Sequence, residues 1–154
     1  MTTLEEIRMI AQPRSSLYCS LICLAALAVI PACGFSTAHL TSITTAKDSA
    51  MTTPTSTFAA TDTVYAQAGI ANSPGTVTVQ WHLILEHVAG YPANARDGEA
   101  DRSLDIPASE NVSTYHLTPP AAGWPAGTYE IEVDMMVDGQ QKDQKTAEFT
   151  VSPS

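Results

Sequence analysis

Thr128-Tyr129-Glu130-Ile131-Glu132-Val133-Asp134-Met135-Met136-Val137 is the stretch that decides the fold. Its side chains alternate. Tyr129, Ile131, Val133, Met135 and Val137 fall on one face, and Glu130, Glu132 and Asp134 fall on the other. Successive residues of a strand point to opposite sides of a sheet, so this period of two describes a strand with one face in the core and one in water.

The same signal recurs on either side. Upstream, Thr76 to Val88 places Val77, Val79, Trp81, Leu83 and Leu85 at period two, with Thr76, Thr78, Gln80, His82 and Glu86 opposite and Ile84 as the apolar exception. Thr63 to Ile70 alternates through Val64, Ala66, Ala68 and Ile70, and the turn residues Asn72-Ser73-Pro74-Gly75 follow it. Ser113 to Leu117 and Thr146 to Val151 are shorter strand signals. Leu40 to Lys47 is a candidate first strand, and Asp48 to Thr57, which contains Pro54, reads as an irregular crossing. Ala89 to Asp105 is rich in Gly, Pro and Asp and reads as a long polar loop.

The last two strands form a hairpin around Asp138-Gly139, and parity constrains it. A two-residue loop without a bulge would pair Tyr129 with Glu148, setting an apolar face against a polar one. Agreement of the apolar faces requires a loop of three to five residues or a bulge within Gln140 to Gln144. From Phe58 onward no segment shows helical apolar spacing. Six or seven short strands about ten residues apart predict an all-β antiparallel sandwich in a single domain. Its core should contain Trp81, Tyr129, Ile131, Val133 and Phe149, in contact across two sheets.

Residues 119 to 151 carry Pro-Pro-x-x-Gly-Trp-Pro-x-Gly-x-Tyr-x-Ile-x-Val, then Asp-Gly, then Glu-Phe-Thr-Val. This pattern resembles the closing strands of bacterial immunoglobulin-like domains, and Asp62-Thr63-Val64-Tyr65 and Val79-Gln80-Trp81 resemble two earlier strands of the same family. The resemblance implies an immunoglobulin-like sandwich of about seven strands over 58–152. It implies little about activity, because such domains serve adhesion, assembly, carbohydrate binding and spacing alike. The local chemistry agrees: Tyr129 is placed to bury its ring while its hydroxyl reaches back to the turn at Pro125, the logic of a tyrosine corner. Trp124 either covers that corner or stands exposed as a binding aromatic.

The amino-terminal third reads differently. Leu17 to Ala32 is an uncharged apolar run preceded by Arg8 and Arg14, shorter than the roughly 17–25 residues a spanning helix needs. Ile30-Pro31-Ala32-Cys33 at its end resembles the lipobox of bacterial lipoprotein precursors. That resemblance implies a signal peptide over 1–32, lipid on Cys33, and a lipidated tether over 33–57 that includes the candidate first strand. Cys19 and Cys23 would leave with the signal, so no disulfide is expected in the remainder.

The net charge is −9, and it stays −9 without residues 1–32, which hold two acids and two bases. Such a surface repels nucleic acid and anionic head groups. Candidate chemistry is sparse. His82, Glu86 and His87 match no zinc-protease signature, and strand parity separates His87 from the other two. Asp97, Glu99, Asp101 and Asp105 offer hard oxygen ligands, but their spacing is not that of a calcium loop, and Arg96 and Arg102 lie among them. No activated nucleophile or phosphate-binding glycine loop is present.

Expected, therefore, are no catalytic residue, no metal, no cofactor and no nucleic-acid partner. The reading is a non-catalytic binding or structural module, held to the bacterial envelope by lipid and meeting a protein partner there. The competing expectation is a glycan-recognising enzyme or accessory subunit, with Trp124, Tyr91 and Tyr115 as stacking rings.

Overall fold

The computed structural model describes residues 37–153, and every element in that range is a strand. Eight strands follow one another: β1 His39–Ala46, β2 Thr57–Phe58, β3 Val64–Ala71, β4 Val77–Val88, β5 Ala95–Ile106, β6 Val112–Leu117, β7 Gly127–Val137 and β8 Gln140–Val151. They form two sheets, β1-β3-β6 and β2-β8-β7-β4-β5, whose apolar faces meet as an all-β sandwich. All pairings are antiparallel except that of the two-residue β2, which runs parallel to β8.

The period-two stretches behave as their sequences dictate. Tyr129, Ile131, Val133, Met135 and Val137 are buried, as are Val77, Val79, Trp81, Leu83 and Leu85. Trp81, Tyr129, Ile131, Val133 and Phe149 do not straddle the sandwich, however. All five belong to the larger sheet, on β4, β7 and β8, and they face the smaller sheet through partners such as Tyr115, whose ring stacks on Trp81 at 5.2 Å. Phe149 stacks on Tyr129 at 5.1 Å and meets Phe58 edge-on at 5.5 Å, so an aromatic row runs along that sheet.

The β7–β8 hairpin resolves the parity problem by a bulge. Asp138 and Gly139 form a two-residue loop with φ of 51° and 74°, the mirror-image turn that suits the right-handed twist of a hairpin. Val137 pairs with Gln140, but the register shifts beyond Met136, which pairs with Gln141 while Met135 pairs with Asp143. Lys142 is the extra residue. Tyr129 therefore pairs with Phe149, and the apolar faces agree.

Three boundaries differ from the sequence reading. Ala95–Ile106 is not part of a long loop: it is the strand β5, paired with β4. It reads as polar because it lies at a sheet edge and buries only Ile106. The last strand starts at Gln140 rather than Thr146, since the polar half of β8 is held by ladder bonds and not by apolar burial. Lastly, β1 lies within 33–57, pairs with β3 and puts Leu40 and Ala46 in the core, so the sandwich takes in residues well before Phe58. Cys33 and the segment 1–32 lie outside the described residues.

Gly127 opens β7 where no side chain fits. A Cβ there would lie 2.4 Å from the His87 carbonyl oxygen and 2.7 Å from the Val88 Cα. Because both obstacles are backbone, neither can swing away. Gly127→Ala is expected to lower unfolding free energy by about 1–3 kcal/mol, the usual range for forced overpacking. A denaturant titration in which Gly127→Ala keeps the native midpoint would contradict the close approach.

Candidate functional site

The sandwich is closed along one side and open along the other. On the closed side β1 packs beside β8, and the Leu40 N–H donates to the Asp143 carboxylate at 2.7 Å. On the open side run β5, the edge of the larger sheet, and β6, the edge of the smaller; among the described residues neither edge has a further strand beside it. Two adjoining cavities of about 600 and 370 Å³ lie along this seam. Leu83, Asp97, Glu99, Pro120 and Trp124 line both, and Leu104 and Leu117 add apolar wall to the larger.

The seam is narrowed where the Tyr115 hydroxyl donates to the Ala100 carbonyl oxygen of β5. Burial raises the Tyr115 phenol to about 12, with the nearby Asp97 and Asp101 adding to the rise and Arg102 opposing it. Leu104 stays 37% exposed and Tyr91, beside the smaller cavity, 55%. Apolar wall residues, an exposed rim and two strand edges with no further strand beside them make this groove suitable for an extended segment of another chain.

The three aromatics of the glycan expectation do not present three open rings. Trp124 is 8% exposed and Tyr115 7%, leaving only Tyr91 free to stack. Trp124 covers the corner: its indole N–H donates to the Asp62 carbonyl at 2.9 Å, its backbone N–H donates to Ala60, and its ring meets Tyr129 edge-on. The Tyr129 hydroxyl in turn donates to the Pro125 carbonyl at 2.7 Å, closing the tyrosine corner.

The four acids of 97–105 separate into different tasks. Asp97 accepts the Glu99 N–H at 3.1 Å, and Asp105 accepts the Thr78 hydroxyl across the β4–β5 ladder at 2.7 Å. Asp101 pairs with Arg96 at 2.8 Å and with His82 Nδ1 at 2.9 Å. The Arg96 hydrogen bonds hold the Asp101 carboxyl below its ordinary range, with His82 adding to the effect. These four do not share one cation-sized space.

What the sequence did not reveal is the company of His82. Its imidazole, on the outward face of the larger sheet, is only 6% exposed, because neighbouring side chains cover it. Across the ladder His82 pairs with Glu132, and Asp134, two residues further along β7, is the next on the same face. His82, Glu132 and Asp134 each offer a ligand atom within 4.8 Å of the others, whereas Glu86 and His87 do not join them. The only sequence signal was that all three sit at outward positions; which strands are neighbours was missing. Further along this face, Glu86 lies near Glu130 and Glu148, and burial together with those two charges raises its carboxyl.

No protein-family model and no curated protein matches the chain. Among solved structures it is similar to "putative beta-galactosidase from bacteroides fragilis", at 13% identity and a TM-score of 0.42 over 72% of this chain. The chain spans 17% of that protein's length. It is also similar to the PmoD soluble domain from Methylocystis sp., at 17% identity and a TM-score of 0.44, covering 77% of this chain and 94% of that one. Both likenesses are remote, and both are to bacterial β-rich proteins.

Proposed function

We propose that the chain is a bacterial envelope lipoprotein, attached through lipid on Cys33, whose sandwich is a non-catalytic module that binds a protein partner in the β5–β6 groove. The observation that carries the binding role is the open seam itself, with Leu83, Leu104 and Leu117 among polar lining residues between two strand edges that have no neighbouring strand among the described residues. The attachment rests on the sequence Ile30-Pro31-Ala32-Cys33. Residues 34–38 alone separate Cys33 from β1, so a lipid there would keep the start of the sandwich within about 20 Å of the bilayer. Two or three acyl chains at roughly 0.8 kcal/mol per buried CH₂ anchor stably without a spanning helix. The glycan reading needs exposed rings on one surface, and Tyr91 supplies just one.

Two variants test the two halves separately. Cys33→Ser is expected to move the protein from the membrane fraction to the soluble fraction and to abolish the lipid mass on the native amino terminus. Retention in the membrane would overturn the attachment. In the lipidated protein, Leu104→Arg places a charge on the groove wall and is expected to reduce crosslinking to the envelope partner at least about tenfold, the cost of one misplaced charge at a desolvated contact. Undiminished crosslinking would remove the groove as the docking face.

A further inference from the structure

We infer that His82, Glu132 and Asp134 form a binding site for a divalent transition-metal ion of the zinc type, on the outward face of the larger sheet. The donor set is one imidazole and two carboxylates, drawn from adjacent strands that the β4–β7 ladder holds in register. Three protein ligands with remaining positions open to water are a common zinc arrangement, and an imidazole favours such ions over calcium or magnesium.

The geometry is close to what coordination needs. His82 Nε2 lies 3.6 Å from Asp134 Oδ2. Ligand atoms around a tetrahedral ion with bonds of about 2.0–2.2 Å sit roughly 3.3–3.6 Å apart, so small rotations of Glu132 and Asp134 suffice. The backing is also in place. Asp101 Oδ1 stands 2.9 Å from His82 Nδ1, the position from which an outer carboxylate takes the second ring N–H and leaves Nε2 as the ligand. Gln141 donates to Asp134 Oδ1 at 2.9 Å, leaving Oδ2 toward the imidazole.

Charge favours a dication as well. Asp101, Glu132 and Asp134 gather around the imidazole with Arg96, whose guanidinium reaches 2.5 Å from Nδ1 and 3.3 Å from Nε2. Arg102 lines the same depression and spends its guanidinium on the Glu99 and Asp101 carbonyl oxygens. Nδ1 cannot donate to Asp101 and accept from Arg96 at once. An ion on Nε2 selects the Nδ1–H form, which donates to Asp101 while Arg96 keeps its own bond to Asp101 Oδ2. Arg96 is thus a competitor for the imidazole, held beside it by its bonds to Asp101, and its side chain is half exposed.

This competition gives a test that a purely structural cluster would fail. Zn²⁺ is titrated calorimetrically into the full chain at neutral pH with its cysteine thiols alkylated. One equivalent is expected to bind. Glu132→Gln and Asp134→Asn should each weaken binding at least about tenfold, and Asp101→Asn by roughly tenfold through the lost outer carboxylate. Arg96→Gln should instead tighten it, and millimolar Ca²⁺ should not displace the ion. Absence of binding, equal binding by all variants, weaker binding by Arg96→Gln, or displacement by Ca²⁺ would each overturn the site. Circular dichroism of the near-isosteric Gln and Asn variants shows whether they remain folded.

Discussion

Trp81→Ala is expected to lower the unfolding free energy by about 3–5 kcal/mol, the range for truncating a large buried aromatic. The indole is fully buried in the middle of β4, stacked on Tyr115, and its N–H donates to the Ser113 hydroxyl at 3.1 Å. Truncation removes three things together. It opens a cavity between the sheets, deprives Tyr115 of its stacking partner, and leaves a buried Ser113 hydroxyl without its donor. A domain of this size has about 5–15 kcal/mol in total, so one substitution removes a large share of it. Urea titration of native and variant protein measures the difference directly, and a loss below about 1 kcal/mol would be incompatible with this packing. Trp81→Phe, which keeps a ring but not the N–H, should fall between the two.

That prediction was available from sequence because Trp81 lies in the middle of an unbroken period-two run. The same reason made β3, β4, β6 and β7 legible, since burial is what apolar periodicity records: β3, β6 and β7 bury alternate residues, and β4 does so from Val77 to Leu85 with the covered His82 as the exception. Parity also narrowed the hairpin to a loop of three to five residues or a bulge within Gln140 to Gln144, and the bulge at Lys142 is the second of these. β5 left no such trace. An edge strand that buries one residue of twelve is held by backbone bonds to β4, and backbone bonds do not select side chains. Its irregularity adds to the difficulty, because Trp81 pairs with Arg102 while Leu83 pairs with Asp97, and the residues between form a protrusion opposite His82. The groove and the His82 cluster were hidden for a related reason. Both depend on which strands are neighbours: the groove on β5 and β6 being edges, the cluster on β4 lying between β5 and β7. Alternation describes one strand at a time and carries no information about adjacency.

Raising the pH is expected to unfold the domain through two tyrosines. Tyr115 and Tyr129 are both raised from the ordinary phenol value of 10.0 to about 12, in each case chiefly by burial. Each hydroxyl also donates to a backbone carbonyl, Tyr115 to Ala100 and Tyr129 to Pro125, and only the neutral phenol can donate. Below pH 10 both states of the chain hold these protons, so the stabilisation is fully present. Between about 10 and 12 the unfolded chain releases them while the folded chain retains them, and stability falls as the pH rises. One proton corresponds to about 1.4 kcal/mol per pH unit, so the pair lowers stability by roughly 3 kcal/mol per unit across that window. Lysine deprotonation overlaps the same range, which is why the variant comparison matters. Tyr129→Phe should reduce the slope of unfolding free energy against pH by about one proton between pH 10 and 12 while costing about 1 kcal/mol at neutral pH for the lost hydrogen bond. A native protein whose phenols all ionise near pH 10 with the sheets intact, or a Tyr129→Phe variant with an unchanged slope, would show that burial of the corner tyrosine is not what holds its proton.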